Sequence, residues 1–121
     1  MISERKYKAQ YIITLVFVLL FAACSVFSGS RYGLSEEDYN YISRETIGGK
    51  LDYSSTLDSA QIYTFNDRQY SHRQMALLMW GSSVRKIGVK NRHDAINLYE
   101  GITGAKLNAE DRKALLAGFE K

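Results

Sequence analysis

Hydrophobic and polar positions divide the chain into two unequal parts. An apolar run of 17 residues, Tyr11–Phe27, follows a short segment that holds three basic residues, Arg5, Lys6 and Lys8. A basic segment followed by an apolar stretch is typical of a signal peptide or a signal anchor. We therefore interpret residues 1–27 as an N-terminal membrane segment and not as part of a folded domain.

The small, polar residues 28–33 predict a short flexible linker, and the pattern of residues 34–121 is helical. A residue suited to helix capping precedes each of four amphipathic stretches, and glycines follow several of them. The capping signals predict helices over about 36–46, between Ser71 and Gly88, over about 92–100 and over about 109–119. Apolar residues occur on more than one face of the second helix, so we expect it to lie at the core, with Leu78 and Trp80 buried.

The segment between the first two helices has no single interpretation. The stretch QIYTF, residues 61–65, is rich in strand-forming residues, and Asn66-Asp67 is a turn signal. A short helix or an extended packing segment fits residues 50–67 as well as a strand does, because the sequence identifies no partner strand. The predicted fold is therefore mostly α: a membrane segment followed by a small bundle of about four helices, with or without one minor β element.

The single cysteine, Cys24, lies near the end of the apolar run. The four residues Phe21-Ala22-Ala23-Cys24 resemble a bacterial lipobox, although a leucine is usual where Phe21 stands. The resemblance implies that Cys24 is the site of lipid attachment. Two other readings stay open: Cys24 is an apolar residue of an uncleaved signal anchor, or the segment is cleaved to leave a soluble product.

The distribution of charge predicts the location of the domain. Three basic residues precede the apolar run and only Arg31 follows it closely, so the N-terminus is expected on the cytoplasmic side. The C-terminal domain should then face the periplasm. Residues after Cys24 carry 13 Lys/Arg and 12 Asp/Glu, a balance of +1 (13 − 12). Nucleic-acid binding requires a strongly basic face, so we expect no nucleic-acid partner.

Candidate chemistry in the sequence is sparse. His72 and His93 are 21 residues apart, and no cysteine accompanies them in the domain, so we predict neither a metal site nor a cofactor. No motif of a nucleophilic enzyme is present, and the protein is predicted not to be an enzyme. Glu100 is the best candidate for a catalytic acid if the protein is instead a small envelope hydrolase.

One basic cluster stands out in a domain that is nearly neutral. It comprises Arg85, Lys86, Lys90 and Arg92, near the end of the second helix, and could contact an acidic protein partner or an anionic lipid surface. The predicted function is a non-enzymatic, membrane-tethered module of the bacterial envelope with a pilotin-like, exclusion or complex-accessory role. The alternatives are a phage-type single-span holin or antiholin that regulates lysis, and the hydrolase.

Overall fold

The computed structural model describes residues 31–121. Cys24 and the predicted membrane segment lie outside these residues. The described part consists of four α-helices and one two-stranded sheet, which confirms the mostly helical fold. The elements are α1 (Glu36–Glu45), β1 (Tyr63–Phe65), β2 (Arg68–Tyr70), α2 (His72–Ile87), α3 (Arg92–Thr103) and α4 (Ala109–Phe119), with 3-10 turns at Arg31–Gly33 and Tyr53–Ser55. Within residues 31–121, no helix is both long enough and apolar enough to cross a membrane.

Side-chain caps fix the start of each helix. The predicted caps Ser35, Ser71, Asn91 and Asn108 each accept hydrogen bonds from backbone N–H groups of the first turn. Ser71 also forms the predicted capping box with Gln74. Helix α3 extends three residues beyond its predicted end, to Thr103, and stops where Gly104 adopts a left-handed conformation.

The region between α1 and α2, for which the sequence supports several interpretations, contains an antiparallel hairpin over residues 63–70. Tyr63 pairs with Tyr70 and Phe65 with Arg68. Strand β2 ends at Tyr70, directly before Ser71, the N-cap of α2. The turn residues Asn66 and Asp67 both have positive φ angles, 49° and 62°, as a two-residue hairpin turn requires. The partner strand was not identified from the sequence because it is only three residues long and two of them, Arg68 and Gln69, are polar and exposed.

Helix α2 lies at the centre of the core. Leu78 and Trp80 are 4% and 2% exposed, which confirms their predicted burial. Helix α4 crosses α2 so closely that glycines are needed on both sides. A β-carbon on Gly118 would overlap the backbone carbonyl oxygen of Leu78, and one on Gly81 would overlap that of Leu115. The two helices therefore pack backbone against backbone.

The domain has two distinct ends. At the first, Leu34 is buried against the C-terminus of α2, and its Cδ2 atom would lie 3.4 Å from a β-carbon on Gly88. The start of α3 and the end of α4 lie there too, because Arg92 forms an ion pair with Glu120. We call this the entry end, since the chain enters the domain at Arg31. The other end contains the start of α2, about 24 Å away along the helix.

Candidate binding cleft

A cleft of about 300 Å³ opens at the end of the domain opposite the entry end. It lies between the first half of α2, the turn that contains Tyr53, and Tyr99 of α3. Leu51, Ala76 and Leu77 contribute apolar lining. We refer to this feature as the distal cleft.

Aromatic side chains form part of the cleft lining and are held by specific contacts. The indole N–H of Trp80 donates to Thr46 Oγ1 at 3.0 Å. The rings of Trp80 and Tyr99 meet edge to face, with centroids 5.0 Å apart. The hydroxyls of Tyr53 and Ser83 hydrogen-bond at 2.6 Å. These contacts fix the positions of the three rings, so the cleft is preformed.

The Tyr99 hydroxyl makes no hydrogen bond within residues 31–121. Burial raises the pKa of Tyr99, because the low-dielectric surroundings disfavour the phenolate. The positive charge of Arg73 opposes this rise, while the negative charges of Asp52 and Asp111 add to it. The phenol therefore stays neutral in the physiological range and can donate or accept a hydrogen bond in the cleft.

Two charged residues line the cleft, and they differ in their partners. Arg73 Nε lies 3.1 Å from Asp111 Oδ2, and the Asp111 side chain is only 9% exposed. The carboxylate of Asp52 accepts the Ser54 hydroxyl at 2.5 Å and the Gly48 N–H at 2.8 Å. These hydrogen bonds, with that of Ser54 the larger cause, lower the pKa of Asp52. Within residues 31–121, Asp52 has no basic side chain at ion-pair distance.

The two histidines do not come together. His72 lines the distal cleft, and its Nε2 atom lies 2.7 Å from the Ser54 carbonyl oxygen. A carbonyl only accepts, so Nε2 carries the proton and the ring holds the turn to α2. His93 lies near the entry end, at the start of α3. No group of three potential metal ligands occurs among residues 31–121.

Glu100, the candidate catalytic acid, stabilises the connection between α3 and α4. Its Oε2 atom accepts the Leu107 N–H at 2.7 Å and lies 3.7 Å from a guanidinium nitrogen of Arg112. These contacts hold the turn that follows Gly104. Glu100 also lines a second cleft, of about 280 Å³, with Arg92, His93 and Arg112.

The predicted basic cluster lies at the entry end, and its four members have different surroundings. The Arg85 guanidinium lies 4.8 Å from the centroid of the Phe119 ring, and Arg92 forms an ion pair with Glu120 at 3.3 Å. Lys86 and Lys90 are exposed and form no ion pair within the described part of the chain. The acidic first turn of α1 is at the same end, because Leu34 packs beside Gly88. This end therefore carries charges of both signs.

Sequence reasoning did not find the distal cleft. Asp52, Arg73 and Tyr99 are far apart along the chain, and no local motif links them. The aromatic residues near them follow the same spacing as core residues. Comparison with known proteins finds no matching family model, no similar curated protein and no similar solved structure.

Proposed function

We propose that this protein is a membrane-tethered interaction module of the bacterial envelope that binds another envelope protein and catalyses no reaction. The predicted N-terminal segment supplies the tether, and residues 34–121 supply the binding domain. A pilotin-like, exclusion or complex-accessory role fits this arrangement. The observation that carries the proposal is the position of the distal cleft, at the end of the domain opposite the entry end.

The length of the linker supports an outward orientation of the cleft. An uncleaved anchor that ends at Phe27 leaves four residue steps to Arg31, or at most about 14 Å. Lipidation at Cys24 would leave seven steps, or at most about 25 Å. The uncleaved anchor holds the entry end near the membrane, whereas the longer reach from Cys24 allows the domain to turn. The α2 residues of the distal cleft, His72 to Trp80, lie about 10–22 Å further along the helix and, with the uncleaved anchor, would then be farther from the bilayer than the entry end.

The contacts within the cleft favour binding over catalysis. His72, Arg73 and Asp52 each hold part of the fold through a hydrogen bond or an ion pair. A general base needs a proton acceptor directed at the substrate. His72 donates from Nε2 to the Ser54 carbonyl, which holds the ring as part of the turn. The hydrogen bonds from Ser54 and Gly48 lower the pKa of Asp52, so its carboxylate is a weak proton acceptor. A preformed, aromatic-lined cleft is well suited to the side chain of a partner.

Site-specific photocrosslinking in cells tests the proposal. A photoreactive residue is placed at Ser54 or Arg73 on the cleft, at Lys90 in the basic cluster, and at Lys113, an exposed position of α4, as a control. We expect one adduct of defined mass from the cleft positions and none from Lys113. The substitution Ala76→Leu, which fills the cleft with a residue suited to a helix, should abolish that adduct.

Three results would contradict parts of this proposal. Equal adducts from all positions, or none from any, would argue against a specific partner. An adduct from Lys90 alone would move the binding surface to the basic cluster. Recovery of the protein in the soluble fraction, together with no fatty-acid label on the wild-type chain or on Cys24→Ser, would remove the tether.

A further inference from the structure

The charges of the distal cleft do not cancel. Arg73 and Asp111 neutralise each other at 3.1 Å, which leaves the carboxylate of Asp52 as the unbalanced charge. A carboxylate has about four lone-pair positions, and two are used by Ser54 and Gly48. Asp52 can therefore accept further hydrogen bonds from a cationic group that enters the cleft.

The rest of the lining suits the stem of a basic side chain. Lysine and arginine carry a charged head on an apolar stem, and the stem packs well on apolar surface. Leu51, Ala76 and Leu77 provide that surface. Tyr53 and Tyr99 add aromatic rings, which attract cations at their faces. The neutral Tyr99 hydroxyl can also accept a hydrogen bond from an ammonium or guanidinium group.

An anionic group fits the same cleft poorly. It would meet the unbalanced negative charge of Asp52. The guanidinium of Arg73, which also lines the cleft, is already paired with Asp111 through its Nε atom. Like charges at close range oppose binding.

We infer that the distal cleft accepts a lysine or arginine side chain of the partner protein, with the stem on the apolar lining and the cationic head at Asp52. This inference rests on the proposed function, because it assumes that the cleft contacts a protein. The basic side chain of the partner is then a specificity determinant, and the Asp52 carboxylate is the group that recognises the positive charge of that side chain.

The chain contains a single tryptophan, Trp80, which lines the cleft and provides a direct reporter. The full chain is labelled with 5-fluorotryptophan, held in nanodiscs, and titrated with three peptides. These are acetyl-Gly-Lys-Gly-amide, its norleucine analogue and its glutamate analogue. We expect saturable movement of the fluorine resonance with the lysine peptide and little movement with the other two.

Two matched aspartate-to-asparagine variants test which carboxylate binds the lysine side chain. Asp52→Asn should weaken binding of the lysine peptide about threefold to fivefold, the range expected for a partly exposed charge pair. Asp58→Asn, on the exposed loop outside the cleft, should leave binding unchanged. If Asp52→Asn unfolds the domain, the three peptides on the wild-type chain still decide the question.

Several outcomes would overturn the inference. Equal binding of the norleucine peptide would show a purely apolar site, and binding of the glutamate peptide that is lost in Arg73→Gln would show an anion site. No response to any peptide would rule out recognition of a basic side chain. If these titrations fail while the photocrosslinks from the cleft persist, only the inferred side-chain class is wrong. If the lysine peptide binds but no crosslink forms, the proposed function fails instead.

Discussion

The crossing of α2 and α4 and the segment from Thr46 to Tyr70 are held by different kinds of contact. At the crossing, backbone meets backbone through Gly81 and Gly118, and the surrounding side chains are almost fully buried. The Thr46–Tyr70 segment is mostly exposed, and side-chain hydrogen bonds to the backbone hold its turns. The first region tolerates no added volume, and the second depends on particular polar groups.

This difference places the candidate site at the boundary between the two regions. Helix α2 provides Ala76, Leu77 and Trp80 from the rigid side of the cleft, while Asp52 and Tyr53 come from the segment held by polar contacts. Local unfolding concentrates where few apolar contacts hold the backbone. We therefore expect local opening to occur more readily on the Asp52 side of the cleft than on the α2 side.

The largest expected effect is that of Gly118→Ala. The added methyl group would overlap the Leu78 carbonyl oxygen, and only separation of α2 from α4 could relieve the overlap. We expect a loss of about 4 kcal/mol or more in the free energy of unfolding, which is exceptional for one substitution. Chemical denaturation followed by circular dichroism measures it.

Gly101→Ala provides the matched control. Gly101 is an exposed position in α3, and a β-carbon there would meet no atom within 4 Å. Replacing a helical glycine by alanine in open space should raise the free energy of unfolding by up to about 1 kcal/mol. A Gly118→Ala protein as stable as the wild type would show that the helices do not cross so closely.

Leu78→Ala comes next in magnitude. Leu78 is 4% exposed beside the same crossing, and its truncation should cost about 3 kcal/mol through lost burial and the cavity that remains. The partly buried Met79 is the neighbouring control, and Met79→Ala should cost clearly less. A loss below about 0.5 kcal/mol for Leu78→Ala would be typical of a surface position and would contradict its place in the core.

The features predicted from the sequence are those with local causes. Ser71 with Gln74, and Asn91 and Asn108, mark helix starts because a cap acts within one turn. The α2–α4 crossing and the distal cleft could not be predicted, because both depend on contacts between distant residues. Gly81 could have signalled a close approach, since a glycine within a helix costs stability and often has a packing reason. Tyr99 carries no comparable local signal.

Thr46→Val tests the one buried hydrogen bond that links the two regions. Thr46 Oγ1 accepts the Trp80 indole N–H at 3.0 Å, and valine keeps the shape of the side chain without the acceptor. A buried donor without a partner costs about 1–3 kcal/mol, so we expect a loss of about 2 kcal/mol. Thr46→Ser, which keeps the acceptor, should recover part of it. Equal losses in both variants would show that packing of the methyl group matters, and not the hydrogen bond.

A smaller, local effect should follow from pH. The pKa of Glu45 is lowered mainly by the hydrogen bond from the backbone N–H of Lys50. The pKa of Asp52 is lowered mainly by the hydrogen bond from the Ser54 hydroxyl. Because the pKa of each carboxyl group is lower in the folded protein than in the unfolded chain, its contribution to stability is fully present at pH values above the unfolded-state pKa. That contribution is lost as pH falls through the folded-state pKa. We therefore expect the amide protection factors of Gly48 and Lys50, which are corrected for the intrinsic exchange rate, to decrease as pH falls below about 4, before α2 and α4 unfold. Simultaneous loss of protection in both regions would contradict this order.

The smallest expected change in stability is that of Lys86→Glu with Lys90→Glu. Both side chains are exposed at the entry end and form no ion pair within residues 31–121. The double substitution should cost about 0.5 kcal/mol, mainly because Lys86 favours the negative end of the α2 dipole. Arg85→Glu should cost more, about 1 kcal/mol, because the guanidinium over the Phe119 ring is lost.

If the basic cluster contacts an anionic membrane, the double variant should also weaken flotation of the detergent-solubilised chain with anionic vesicles about tenfold or more. Unchanged flotation would identify the cluster as a solvated helix end that contacts no anionic membrane.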